Sequence, residues 1–346
     1  MSKDYHELDE KYNQEDPRAF RKERKRIQAK DRSKYKKTDQ EKRKNESTVI
    51  NGKRGRVLGI SKVSIDVDIA GQVTSCNLKG SLKKEKTNQK NLITVGDYVL
   101  IDERGQIAHI EERFSYLARA ANLDRRKQQL IAANIDQVLI TASYQAPTLK
   151  PSLLDRYIIA AQKGNMQPII VINKIDLCKD KTLVDELFKI YKQANIPLLT
   201  VSALTKEGIT DLKKIMRKKT SVFSGQSGVG KTSLINEVTG RKDKIGPIIQ
   251  KTQKGAHTTT SATLIPLDKT GFCVDTPGIK SFGLWDISSN DLANYFYDLL
   301  EFAPLCKFMN CTHIHEPDCA VKKAVEEGKL SKIRYESYLN IHEGYE

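Results

Sequence analysis

Residues 225–233 read GQSGVGKTS and fit the pattern G-x-x-x-x-G-K-[ST], with the apolar run SVF before them and the helix-like LINEV after them. Few folds accept such a stretch. Its glycines let backbone N–H groups curl around an anion, and the helix that follows presents its N-terminus to the same point, so a strand–loop–helix unit of an α/β sheet is required. Gly225, Gln226, Ser227, Gly228, Val229 and Gly230 form the turn, and Lys231 is spaced to reach the outer oxygens of a phosphate chain. Thr232, followed by Ser233, offers a hydroxyl to Mg²⁺ at the helix N-terminus. A βαβα rhythm surrounds the motif: QVLITAS, SLLDRYIIAAQ, PIIVIN, LVDELFKIYKQA, PLLTVSA and ITDLKKIM alternate from residue 137 onward. The near-continuous Val and Ile runs predict strands buried on both faces, hence a mostly parallel sheet with helices on each side.

Two further motifs complete a nucleotide site. DTPG, residues 275–278, follows the run GFCV and supplies Asp275 at a strand end and the Gly278 N–H near a γ-phosphate, the parts of a Mg²⁺-linked switch. NKID, residues 173–176, selects the base: the Asp176 carboxylate can accept both N1–H and the exocyclic amine of guanine, while Asn173, Lys174 and Ile175 brace the pocket. Adenine cannot donate that pair. At about 1.5–3 kcal/mol for each hydrogen bond to a charged group, the discrimination reaches roughly two to four orders of magnitude. Ser202 and Ala203, at the end of PLLTV, could add a backbone contact to the guanine oxygen. The base reader therefore precedes the phosphate loop, the reverse of the ordinary order in guanine-nucleotide-binding proteins. Circular permutation accounts for this, because a sheet is assembled in space and only its connections change.

The remaining segments suggest attached modules, for which 346 residues suffice. GRVLGI, VSIDVDI, QVTSCNL, GDYVLID and QIAHIEE read as five strands, which suit an OB-type barrel, a frequent nucleic-acid binder. Its loop at residues 79–90 holds five Lys and one Glu, whereas Tyr98 is the one aromatic residue between 48 and 113, so phosphate and shape recognition fits better than base stacking. Charge points the same way. Of the net +16, twelve charges fall in residues 17–56, with 17 Lys or Arg against 5 Asp or Glu and almost nothing apolar to support a core. If this arm neutralised about six phosphates, affinity would fall with salt at a log–log slope of roughly −5. No run approaches 18 apolar residues and MSKDYHELDE carries no leader-like segment, so a cytoplasmic protein without membrane contact is expected.

Near the C-terminus, Cys306, Cys311, His313 and Cys319 form a C-x₄-C-x-H-x₅-C array that suits a closed tetrahedral zinc site, with His315 a competing ligand. Cys76, Cys178 and Cys273 stand alone beside apolar residues and read as small core residues. ISSNDLANYFYDLLEF and SKIRYESYLNI read as helices on either side of the cluster.

NKID, GQSGVGKTSL, GAHTTT, DTPGIK and CKFMNCTHIHEPDCAV, in that order, resemble the circularly permuted, ribosome small-subunit-dependent GTPases called RsgA or YjeQ, over roughly residues 50–340. The resemblance implies an OB domain at 48–113, a permuted GTPase domain at 114–283 and a zinc-binding domain at 284–346; the basic arm at 1–47 lies outside the shared motifs and is read from its charge alone. It also implies late maturation of the small ribosomal subunit, with GTP hydrolysis stimulated by that subunit; Mg²⁺ with GTP or GDP, contact through rRNA and a monomeric chain are expected beside it. Ile279 follows DTPG where Ras-like proteins place a water-orienting glutamine, and His257 of GAHTTT is the candidate replacement. Thr258 or Thr259 should be the switch threonine, Thr259 being the choice here. A GTP-gated RNA-binding module with little turnover, or a factor for the large subunit or tRNA, are the alternative readings.

Overall fold

A computed structural model describes residues 52–61, 63–82, 91–120, 128–241, 262–267, 271–275 and 289–344. The five expected N-terminal strands form as β1 (Lys53–Ile60), β2 (Ile65–Ile69), β3 (Gln72–Leu78), β4 (Tyr98–Ile101) and β5 (Gln106–Ile110). Alternation sets their faces: in β2, Ile65 and Val67 are buried while Asp66 between them is exposed. β1 pairs with both β2 and β4, β4 with β5, and β5 lies parallel to β3, so the sheet closes on itself. Val57, Val67, Val99 and Ile107 fill the interior of this OB-type barrel. Tyr98 carries Arg54 over its ring at 4.2 Å, so it is a partner for a cation and not an open stacking surface. Most of the lysine-rich loop, residues 83–90, lies outside the described residues.

A hairpin follows that the sequence reading missed, β6 (Tyr116–Ala120) and β7 (Gln128–Ala133). Its alanines give no clean alternation, and its register shifts between Leu117 and Ala118.

The α/β unit comprises β8 (Gln137–Ser143), α1 (Pro151–Lys163), β9 (Gln167–Asn173), α2 (Thr182–Gln193), β10 (Leu198–Thr200), α3 (Ile209–Met216), β11 (Thr220–Ser224), α4 (Lys231–Thr239), β12 (Thr263–Leu267) and β13 (Gly271–Asp275). The strands lie in the order β10-β9-β8-β11-β13-β12, parallel except for β12. All seven residues of β8 are buried. Val138, Ile140 and Ala142 enter one core and Leu139 the other, which is why this strand reads as an uninterrupted apolar run. Reading from β11 to β13 and then from β8 to β10 restores the order of an unpermuted guanine-nucleotide-binding sheet. β12 also pairs with β1, Gly59 opposite Thr263, so barrel and α/β sheet share one ladder. Arg56 pins that junction: it is 8% exposed and donates to the Asn134 carbonyl at 3.0 Å and the Thr220 hydroxyl at 2.7 Å.

After residue 288 come a 3₁₀ turn (Ser289–Tyr295), a short α5 (Tyr297–Leu300), α6 (Ala320–Glu326) and α7 (Lys332–Glu343). The continuous helix expected over 287–302 is broken at Phe296, whose φ of −105° and ψ of 79° leave the helical region. The break lets Phe296 bury its ring completely, edge-on to Tyr338 at 5.4 Å. α7 packs along α1, and Ile159 of α1 joins the C-terminal core. Among the described residues no helix is long and apolar enough to cross a membrane.

Candidate nucleotide and metal sites

β9, β10, β11 and β13 run parallel, so Asn173, Ser202, Gly225 and Asp275 all emerge at the same carboxyl edge of the sheet, where ligands of open α/β folds bind. The phosphate loop turns there. Gly225 sits at φ 150°, and a Cβ on it would lie 2.0 Å from the Thr141 carbonyl oxygen; Gly230 sits at φ 95°, and a Cβ on it would lie 2.3 Å from Asn173 Nδ2. Only glycine fits this cradle. Lys231 Nζ folds over it, donating to the carbonyls of Gly225 at 2.7 Å and Gln226 at 2.6 Å, and burial pulls its pKa down. Ser227 and Gly228 are exposed at the tip, Val229 is buried beneath them, and Thr232 and Ser233 open α4. These are the backbone donors and hard oxygens that a nucleotide phosphate chain and Mg²⁺ accept.

The residues expected to read the base are tied to that loop. Asn173, 1% exposed, donates from Nδ2 to the Val229 carbonyl at 2.9 Å, and its Oδ1 accepts the Ala203 N–H at 3.2 Å. One side chain therefore joins phosphate loop, base reader and base support. Lys174 takes a left-handed φ of 62° and donates to the Ala146 carbonyl. Ile175 is buried, while Asp176 is exposed and accepts from the Ser202 hydroxyl. That hydroxyl also accepts the N–H groups of Leu204 and Thr205, so Ser202 aims the carboxylate, a role the sequence reading did not assign. Asp275 closes β13 opposite Thr263. His257, Thr258, Thr259, Gly278 and Ile279 lie outside the described residues.

Cys306, Cys311, His313 and Cys319 converge, their ligand atoms all within 4.8 Å of one another. His313 Nδ1 lies 3.5 Å from the sulfurs of both Cys306 and Cys319, which are 3.9 Å apart. A tetrahedral cation about 2.3 Å from sulfur and about 2.0 Å from nitrogen sets edges of roughly 3.8 and 3.5 Å, so the group fits a metal. His315 is exposed and outside the group, which decides between the two histidines. Burial pushes Glu316 up, but the N–H and hydroxyl of Thr312 and the N–H of Ile314 outweigh it and hold the carboxyl at about 2. This carboxylate fixes the loop between ligands, as outer partners of metal sites do. Tyr335 and Tyr338 hydroxyls donate to the carbonyls of His313 and Thr312. Of the isolated thiols, Cys76 and Cys273 are buried as expected, and burial pushes Cys273 up to about 12. Cys178 is only half-buried, because it follows the base reader into an exposed turn and donates to the Asp180 carbonyl.

Comparison with known proteins agrees with this arrangement. The RsgA GTPase family model matches residues 110–285. The small ribosomal subunit biogenesis GTPase RsgA of Phocaeicola vulgatus is 36% identical over 283 residues, 80% of this chain and 91% of that protein. The crystal structure of YjeQ from Thermotoga maritima aligns with a TM-score of 0.69 at 32% identity, over 84% of this chain and 98% of that one. YloQ, described as a circularly permuted GTPase, aligns with a TM-score of 0.67 at 28% identity, over 86% and 96%. With its base reader ahead of its phosphate loop on one sheet edge, the chain belongs to the RsgA GTPase family, a family of enzymes that hydrolyse GTP.

Proposed function

We propose that this GTPase acts in biogenesis of the small ribosomal subunit, as the names of its relatives say of them, and that it does so late in assembly. The observation that carries the reading is the meeting of base reader, base support and phosphate loop at Asn173. In this reading residues 173–176, 202–203 and 225–233 bind guanine nucleotide, and Thr232 and Asp275 hold Mg²⁺, which offsets phosphate charge when bound. Lys231 leaves its two loop carbonyls for the β- and γ-oxygens. Thr259 senses the γ-phosphate with the Gly278 N–H. His257 orients the attacking water, since Ile279 has no polar atom for that task. Cys306, Cys311, His313 and Cys319 hold one structural Zn²⁺, whose preference for thiolate and imidazole ligands matches the set.

The barrel, in a domain at 48–113, and the basic arm at 1–47 bind rRNA phosphates. The GTPase domain at 114–283 turns over when rRNA contacts complete its switch, and the domain at 284–346 docks beside it. GTP favours docking, the subunit stimulates hydrolysis, and GDP releases a single cytoplasmic chain.

Multiple-turnover GTP hydrolysis, with purified small or large subunits added separately, tests this. Small subunits should stimulate turnover, with Lys231→Ala abolishing it and His257→Ala abolishing the stimulation. Equal stimulation by large subunits would refute the assignment, and an unaffected His257→Ala would remove that residue from the mechanism.

A further inference from the structure

The C-terminal helices are held to the GTPase unit by buried charge. Arg334 of α7 is 2% exposed and Asp155 of α1 is fully buried. The guanidinium donates through Nη1 to Asp155, and through Nε and Nη2 to the two carboxylate oxygens of Asp298 on α5, both at 2.8 Å. Tyr191 of α2 donates its hydroxyl to Asp155 at 3.1 Å, and the guanidinium lies 4.5 Å over the Phe296 ring. The two carboxylates raise the pKa of Arg334 further despite its burial, so its charge is permanent.

Stability alone is weak grounds for such a cluster, because well-packed apolar side chains of similar volume often serve a buried site equally well. Registry is the use that its geometry fits. An apolar contact tolerates sliding, whereas a planar donor shared by carboxylates on two different units is satisfied in one position. The cluster therefore fixes where α7 sits along α1.

α1 also meets the phosphate loop, through the residues on either side of Asp155. Leu153, Leu154 and Tyr157 line a small cavity of about 10 Å³ together with Gln226 and Val229 of the phosphate loop. On its outer face Ile159 shares a core with the metal ligand Cys319. One thirteen-residue helix thus touches the phosphate loop and the metal-bearing unit. This route is separate from the chain's direct connection through residues 276–288.

Resting on the function proposed above, we propose that Arg334 is a positioning residue for stimulated hydrolysis. It holds the C-terminal unit in the one register on α1 that passes docking of that unit to the phosphate loop. The coupling acts through the GTP-bound loop, so a GTP analogue, and not GDP, changes how α7 is held on α1.

The triple variant Asp155→Asn/Asp298→Asn/Arg334→Met removes the charges, keeps the volumes and leaves Tyr191 an acceptor. Arg334→Lys keeps the charge and loses the planar fork. Both are compared with the full-length wild type for thermal stability, binding of fluorescent GDP, basal turnover and turnover with small subunits. Hydrogen exchange of residues 332–343 is followed with GDP and with a non-hydrolysable GTP analogue. Basal turnover and GDP binding should be unchanged, while stimulation falls about tenfold in the triple variant, within the usual range of coupling between sites. Arg334→Lys should fall between the two, and the nucleotide-dependent exchange difference should vanish in the triple variant. A folded triple variant stimulated like the wild type overturns the proposal. Should the triple variant not fold, full stimulation of Arg334→Lys does so. If the wild type itself is not stimulated, the proposed function has failed and exchange alone decides: a nucleotide effect on α7 lost with the cluster supports the coupling, and no effect in the wild type overturns it.

Discussion

Asn173→Ala tests how the nucleotide site is held together. The substitution deprives the Val229 carbonyl and the Ala203 N–H of their partner at once. Val229 is 2% exposed, so its carbonyl bears the full cost of an unmet buried acceptor; Ala203 is half-buried and water can partly replace the lost contact. At about 1–3 kcal/mol for each buried group left without a partner, the sum is roughly 2–4 kcal/mol. To the extent that the loops relax in the empty protein and nucleotide must reorder them against this cost, affinity falls, by about 30- to 700-fold for the whole sum. Fluorescent GDP titration measures the second figure and urea unfolding the first. Asn173→Asp sharpens the test, since it still accepts the Ala203 N–H but has no donor for Val229. Gly230→Ala supplies a cycle: its Cβ meets Asn173 Nδ2 at 2.3 Å, so part of its penalty should disappear in the Asn173→Ala background. Wild-type stability and GDP affinity in Asn173→Ala, or strict additivity with Gly230→Ala, would refute the reasoning.

Asp176→Asn should move preference from guanine toward xanthine nucleotides, and Ser202→Ala, which frees the carboxylate, should weaken guanine binding without that switch; competition binding with GDP and XDP reads both. Treatment with a chelator should lower the helical circular dichroism of the C-terminal unit, and one equivalent of Zn²⁺ should restore it, because the four ligands close its core. Glu316 is held at about 2 against its usual 4.5, so the folded state gains from its ionisation above pH 4.5 and loses that gain as pH falls toward 2. Glu316→Gln should be less stable than wild type at neutral pH, with the difference shrinking in acid melts, and should release metal to a chelator faster.

Features written in contiguous residues were legible in the sequence. The phosphate loop, Asp176 and the strands of the barrel each rest on local patterns, and β8 reads as a central strand because its seven residues meet apolar neighbours on both sides. Spacing pointed to three cysteines and a histidine as a candidate metal group but could not choose between His313 and His315, since that choice depends on which ring is buried. Arg334 and Asp155 are 179 residues apart, and no pattern within either helix announces the other. Phe296 likewise looks helical until Tyr338 is seen beside it. Cys178 follows apolar Leu177 yet turns outward after the base reader, because a turn sets its exposure.

The position of β8 also shapes how the chain is made. Synthesis delivers β8, β9 and β10 first, yet the strand that covers the free edge of β8 begins only at residue 220. At ribosomal speeds of about 5–20 residues per second, that edge waits roughly 4–15 s for β11. An apolar strand with unpaired N–H and C=O groups invites wrong partners meanwhile. The late strand carries its own address. Gln137 donates to the Ser221 hydroxyl at 2.8 Å, opposite it in the ladder, and Arg56 of the earlier-made barrel donates to Thr220. A slip of one residue would bury both polar partners against hydrocarbon, so these contacts proofread the joint between the two halves of the permuted sheet.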